Sequence, residues 1–309
     1  MTAVPGQKHL NDDVLDRISR LELRARQVVE GFVSGMHQSP FKGFSIEFAD
    51  HREYAPGDDL RHIDWRVHAR TDRYFVKEYE VETNVRAHLL LDCSASMAYP
   101  DEPVAGRLNK WDYAATVALS LAHLLVTGQS DAASLVLFDE TIRHRTAISA
   151  NRISLNLLAQ TLEQNAPAGG TDTRIPFAEL AESVPRRGAV IIISDLLTDT
   201  DQLIEGLQRL RAADHEIIVL HVMDHDEIEF PFTDRTLFEG LEAPDLEVLS
   251  DPQSLRRSYL DAVGRFLDTI ETACLERRID YALFSTADPV QNALATFLAR
   301  RVHRNRSRS

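Results

Sequence analysis

Five oxygen-bearing side chains stand out by type and spacing: Asp92, Ser94 and Ser96 in the run DCSAS, Thr171 after the pair Gly169 and Gly170, and Asp195 at the end of an apolar run. Residues two apart in an extended segment point the same way, so Asp92, Ser94 and Ser96 can aim their oxygens at one point while Cys93 faces the other side. The paired glycines let backbone come close and present the Thr171 hydroxyl. Two carboxylates and three hydroxyls are all hard donors. A set that needs neither His nor thiolate suits a small hard cation in octahedral geometry, Mg²⁺ first and Mn²⁺ second. With so few formal charges around it, the ion would keep Lewis acidity and at least one water, which an external carboxylate could replace.

The elements that must position these residues follow from hydrophobic periodicity. Residues 12–34 place Val14, Leu15, Ile18, Leu21, Val28, Val29 and Phe32 at three- and four-residue steps behind Asp12 and Asp13, which predicts an amphipathic helix. From Gly43 to Glu82 short segments mix apolar and charged residues (FSIEF, DWRVHAR, YFVKEYEVE) around the turn signal Pro56, Gly57, Asp58, which predicts a small β-rich region. Strands then alternate with helices. Strands are expected at 87–92, 133–139, 142–148, 188–195, 216–224 and 280–285, and helices near 107–127, 151–164, 200–213, 252–278 and 289–302.

Apolar strands separated by helices specify a sheet covered on both faces. The expected fold class is α/β, a doubly wound, mostly parallel six-stranded sheet whose third strand is short and antiparallel, with the site at its carboxyl edge. Residues 225–250, with Pro231, Gly240 and Pro244, read as an insertion after the fifth strand. The chain divides into a helical segment (1–42), a β-rich extension (43–85), the α/β domain (86–299) and an arginine-rich tail (300–309).

The ordered motifs DCSAS (92–96), GGTD (169–172) and ISD (193–195) resemble the metal-ion-dependent adhesion site of the von Willebrand factor A fold, with all five positions filled in order. The stretch REYAPGDDLRHIDWRVHAR (52–70) resembles the signature of a bacterial and archaeal family catalogued as domain of unknown function 58. The resemblance implies a Mg²⁺-dependent protein-binding module. Ser94, Ser96 and Thr171 would contact the ion, Asp92 and Asp195 would bind it directly or through water, and a partner's Asp or Glu would complete the shell. It further implies a MoxR-type ATPase of the AAA+ class as partner, in chaperone-like assembly or maturation of other proteins. Some relatives carry membrane helices, and this sequence departs from them.

Within the charged motif, Arg52, Glu53, Asp58, Asp59, Arg61, Asp64 and Arg70 could form a partner surface, but turn chemistry and internal arginine–carboxylate pairs account for them as well. Tyr54 and Trp65 read as packing anchors. His221 and His225 flank Asp224 without the further ligands that zinc requires, and Cys93 has no recognisable histidine partner, which reads as a small buried residue.

Composition narrows the rest. The 309 residues are 44% hydrophobic and 27% charged, enough for a sizeable core. The longest nearly unbroken apolar stretch, Ala114 to Val126, falls short of the roughly 20 residues a membrane span needs, so no membrane insertion is expected. No apolar leader opens the sequence and only Cys93 and Cys274 carry thiols, so a cytoplasmic protein is expected. A net charge of −14 disfavours broad nucleic-acid affinity, leaving only the tail arginines Arg300, Arg301, Arg304, Arg306 and Arg308 as a weaker alternative. Neither a phosphate-binding loop nor a nucleophile elbow occurs, so a non-catalytic role is expected. A divalent-metal hydrolase such as a phosphoesterase is the alternative, though it lacks an evident general base.

Overall fold

In a computed structural model, the chain runs α1 (Gly6–Gly35), β1 (Ser45–Glu53), β2 (Phe75–Glu82), β3 (Arg86–Asp92), α2 (Lys110–Gly128), β4 (Ala132–Phe138), β5 (Ile142–Arg145), α3 (Ile153–Gln164), α4 (Arg174–Ser183), β6 (Ala189–Ser194), α5 (Thr200–Ala212), β7 (Glu216–Met223), α6 (His225–Glu229), β8 (Thr236–Glu239), β9 (Glu247–Ser250), α7 (Pro252–Glu276), β10 (Asp280–Ser285) and α8 (Val290–Arg306). The structure describes residues 6–35, 45–53, 74–82, 85–104, 106–128, 131–184, 188–242, 245 and 247–306. The segment DWRVHAR and the motif residues Tyr54, Asp58, Asp59, Arg61, Asp64, Trp65 and Arg70 lie outside these residues, while Arg52 and Glu53 end β1.

The central sheet has the order β10-β7-β6-β3-β4-β5, and every neighbouring pair is parallel except β4 with the short β5. Its inner strands β3, β6 and β7 are rich in β-branched and leucine side chains and are buried on both faces, which explains why they lack polar alternation. Successive residues feed two cores. Leu89, Leu91, Ile191, Ile193, Ile218 and Leu220 face the layer built from α1, α2, α3 and α8. Leu90, Val190, Ile192, Ile217 and Val219 face α4, α5 and α7. Ile18 and Leu21 of α1 join the first core, so the amino-terminal helix is part of one hydrophobic layer.

The order of the strands creates the site. From β3 the chain passes to β4 on one side and returns to β6 on the other, so the connections leaving β3 and β6 diverge at the carboxyl edge and leave a crevice. Asp92 is the last residue of β3 and Asp195 directly follows β6.

Some elements differ from the sequence expectation. Helix α4 follows Thr173, in a stretch outside the expected helices; Pro176 lies in its first turn, where a missing N–H removes no intrahelical bond. The insertion after β7 folds as α6 and the antiparallel β8–β9 hairpin. The hairpin is rooted by aromatic packing of Phe238 on Phe230 (5.7 Å) and Phe232 (5.4 Å), and Phe230 in turn packs on Tyr259 (4.4 Å). Helix α8 continues through the first tail arginines. Arg301 donates to Asp280 (2.5 Å) and Glu216 (2.6 Å), and Arg304 pairs with Asp280, at the amino ends of β10 and β7, opposite the carboxyl edge. Among the described residues no helix is long and apolar enough to cross a membrane.

Phe177 of α4 is fully buried, meets Phe138 edge-on at 5.8 Å, and lies where a Cβ on Gly206 of α5 would come within 2.8 Å of its ring. Phe177→Ala should therefore lower unfolding free energy by about 3–5 kcal/mol in denaturant titrations.

Candidate metal centre

The loop after β3 turns at once into a single 3₁₀ turn, Ala95–Ala98, which keeps DCSAS compact against the sheet edge. Asp92 is fully buried. Its Oδ1 accepts from the Ser94 amide (2.9 Å) and its Oδ2 from the Ser194 hydroxyl (2.6 Å). The Ser94 and Ser96 hydroxyls lie 3.1 Å apart. Cys93 points away, donates its thiol to the Phe138 carbonyl (3.2 Å), and is pushed up to about 12 by burial, so it carries no nucleophilic chemistry.

Thr171 reaches the same edge through its backbone. The Ala95 amide donates to the Gly169 carbonyl (2.9 Å), the Ala168 amide to the Cys93 carbonyl (2.9 Å), and the Thr198 hydroxyl to the Thr171 carbonyl (3.3 Å). Gly169 adopts φ +82°, a left-handed conformation that lets the loop turn over DCSAS. The structure thus joins Asp92, Ser94 and Ser96 by hydrogen bonds, sets Asp195 at the neighbouring strand end, and brings Thr171 beside them on its loop. The Thr171 hydroxyl itself donates to Glu242 Oε1 (2.7 Å).

Electrostatics separate the two aspartates. Lys110, at the start of α2, is fully buried and donates to Asp195 Oδ2 (2.7 Å) and Glu227 Oε1 (2.7 Å). Burial opposes the charge on Asp195, but the Lys110 ammonium outweighs it and holds that carboxyl below the usual range. Lys110 is in turn raised above its ordinary value, because the two carboxylates outweigh its desolvation. Asp92 forms no ion pair among the described residues. Burial, and then the charge on Asp195, push it up to about 7 against the hydrogen bonds from Ser194 and Ser94.

Asp92, Asp195 and Glu227 against Lys110 leave two excess negative charges in a desolvated pocket when all are ionised. A hard dication fits that imbalance, and the hydroxyl pair at 3.1 Å is close to the roughly 2.9 Å edge of an octahedron with 2.0–2.1 Å ligands. Among the described residues no group of three or more His, Cys, Asp or Glu could hold a metal, so hydroxyl oxygens must supply part of any shell here.

A model of the family described as "Protein of unknown function DUF58" matches residues 50–265. The chain belongs to the DUF58 family. It is 29% identical over 250 residues to the uncharacterized proteins Mb1516 of Mycobacterium bovis and Rv1480 of Mycobacterium tuberculosis, across 79% of this chain and 76% of each relative. In structure it is similar to the conserved hypothetical protein BatB of Bacteroides thetaiotaomicron, 15% identical with a TM-score of 0.44 over 71% of this chain and 99% of that one. A von Willebrand factor type A structure from Catenulispora acidiphila, 14% identical, gives a TM-score of 0.39 over 72% of this chain and 43% of its own.

Several residues of this DUF58 site escaped the sequence pattern. Lys110, Glu227 and Glu242 come from segments far from the motifs; the one signal for Lys110 was its rarity, since Lys8, Lys42 and Lys77 are the chain's other lysines. His221 is not a metal ligand. Its Nε2 meets the Asp195 carbonyl (2.8 Å) and its Nδ1 the Tyr281 hydroxyl (2.9 Å), and burial lowers it to about 4, so it stays neutral and fixes the backbone at Asp195. Asp224 caps α6, receiving the Asp226 amide (2.9 Å) and the Thr286 hydroxyl (2.5 Å), while its own amide holds Glu227 Oε2 (2.8 Å).

Two expectations follow. Lys110→Met leaves Asp195 and Glu227 buried without their cation, and equilibrium unfolding should register a loss of about 3–5 kcal/mol. In chelator, Asp92 binds its proton more tightly folded than unfolded between 3.8 and about 7, so its contribution to stability falls as pH rises through that window and is level above it. The buried His88 and His221, lowered to about 4, add the opposite slope. The readout is therefore the difference between wild type and Asp92→Asn in thermal melts: the variant should gain on wild type as pH rises, and parallel profiles would assign the charge cost elsewhere.

Proposed function

We propose that this DUF58 protein is a non-catalytic, Mg²⁺-dependent protein-binding adaptor of the cytoplasm, working with a MoxR-type AAA+ ATPase in assembly or maturation of other proteins. The observation that carries this reading is the fully buried Asp92, without an ion pair among the described residues, beside a hydroxyl pair and a second aspartate at the point where the strand order reverses. Ser94, Ser96 and Thr171 would contact the ion, with Asp92 and Asp195 bound directly or through water; Mn²⁺ could substitute. A dication held there would supply a positive centre for the Asp or Glu of a partner.

The chain's own groups do the rest. Lys110 takes up one carboxylate charge, which keeps Asp195 ionised and limits the negative charge offered to an ion. His221 and Ser194 hold the two aspartates in place through backbone and side-chain contacts. The binding role is supported further by Cys93, whose buried thiol is no nucleophile, and by the arginines Arg301 and Arg304, which are engaged internally at the far edge of the sheet rather than offered to phosphates.

The test is co-elution of the full-length chain with a MoxR-type ATPase from the same genome, in Mg²⁺ and in EDTA, with Asp92→Ala and Thr171→Ala alongside. A complex that forms in Mg²⁺ and is lost in EDTA and in both variants, with circular dichroism unchanged, is the expected result. Binding retained in both variants would sink the reading. Metal-dependent phosphoester turnover that disappears with Asp92 would replace it with a hydrolase.

A further inference from the structure

Glu242 sits at the end of the β8–β9 hairpin that the fold inserts after β7, far in sequence from every motif residue. Its carboxylate nonetheless grips Thr171 twice: Oε1 accepts from the hydroxyl (2.7 Å) and Oε2 from the amide (3.1 Å). The Thr171 hydroxyl is thus turned toward the hairpin. Glu242 is exposed and forms no ion pair among the described residues. A second acid, Glu140, converges on the same spot: a Cβ placed on Gly170 would meet Glu140 Oε1 at 2.9 Å and Glu242 Oε2 at 3.8 Å. The cation beside this loop, Arg143, is engaged by Asp139 and the Ala168 carbonyl (2.6 Å).

We propose that Glu242 is a resident carboxylate ligand of the metal centre, occupying the place that a partner's Asp or Glu must take, so that partner binding requires the hairpin to release Thr171. The inference rests on the reading of the site as a divalent-cation centre. Its geometric basis is that the Glu242 carboxylate is held on both the hydroxyl and the amide of Thr171, the residue whose hydroxyl would contact the ion. Acids that crowd one glycine and lack cations of their own gain from a dication beside them.

Leu237, Leu241, Val248 and Leu249 are exposed, and the hairpin is rooted through Phe238 on the Phe230 and Phe232 rings. That root also touches the buried charge network. Tyr259, packed on Phe230, donates its hydroxyl to the Glu227 carbonyl (2.9 Å), and Glu227 holds Lys110. A cavity of about 380 Å³ lies against the hairpin, lined by Tyr99, Glu227, Phe230, Phe238, Leu241 and Tyr259 among others, so the hairpin has space beside it.

The experiment uses the full-length chain and Mn²⁺ alone as probe, with water-proton relaxation reporting how many waters remain on the bound ion. Wild type, Glu242→Gln, Asp92→Ala and Asp92→Asn are compared, then titrated with glutarate as a free carboxylate. Glu242→Gln should bind Mn²⁺ about tenfold more weakly, carry one more water per bound ion, and admit glutarate at about tenfold lower concentration than wild type. If Mn²⁺ uptake is lost in both Asp92 variants while Glu242→Gln matches wild type in affinity, relaxivity and glutarate response, the inference falls and the metal reading stands. If wild type takes up no Mn²⁺, or the Asp92 variants take it up unchanged, both fall together.

Discussion

Two carboxylates buried at neighbouring strand ends, only one of them paired with a cation, are the constraint around which this molecule is arranged. The sheet order places Asp92 and the residue after β6 on either side of the same crevice, and burying both charges without compensation would be prohibitive. Lys110 resolves half of the conflict. Its ammonium reaches Asp195 and Glu227 from the first turn of α2, and the capping arrangement of Asp224 fixes Glu227 to meet it. Asp92 is left with hydrogen bonds from neutral donors and a raised proton affinity.

That asymmetry gives the two acids different roles. A lysine-paired Asp195 stays ionised and holds the Leu197 amide, so it organises the loop as much as it attracts charge. Asp92 is the responsive member, since its charge is the one the protein leaves uncompensated. Hydroxyls rather than further carboxylates surround the pair, a donor set that in the proposed cation centre would keep positive charge for an incoming acid instead of neutralising it within the fold. The hairpin fits the same logic, because Glu242 brings an acid from outside the sheet on an element rooted mainly by aromatic contacts.

The outer parts of the fold serve this edge at a distance. Helix α1 closes the first hydrophobic layer over α2, and so backs the helix that carries Lys110. Arg301 and Arg304 lock α8 to the amino ends of β7 and β10, at the opposite end of the sheet from the carboxyl edge.

The sequence alone determined the sheet and the motif residues, because both are written in short-range pattern: the runs AHLLLD, AVIIIS and EIIVLHVM can be buried only on two faces, and DCSAS needs only a strand end to align its oxygens. It missed α4, since Pro176 reads as a breaker unless one knows that it falls in a first turn whose N–H groups have no helical partner. Only the tertiary structure decided which charges meet. Lys110 lies 85 residues from Asp195 and 117 from Glu227, and Thr171 lies 71 from Glu242, so each pairing depends on strand order and on how an insertion folds back. Long-range electrostatics of that kind leave no periodic trace, because a single lysine or glutamate on a helix or loop looks the same in sequence whether it faces water or a buried aspartate.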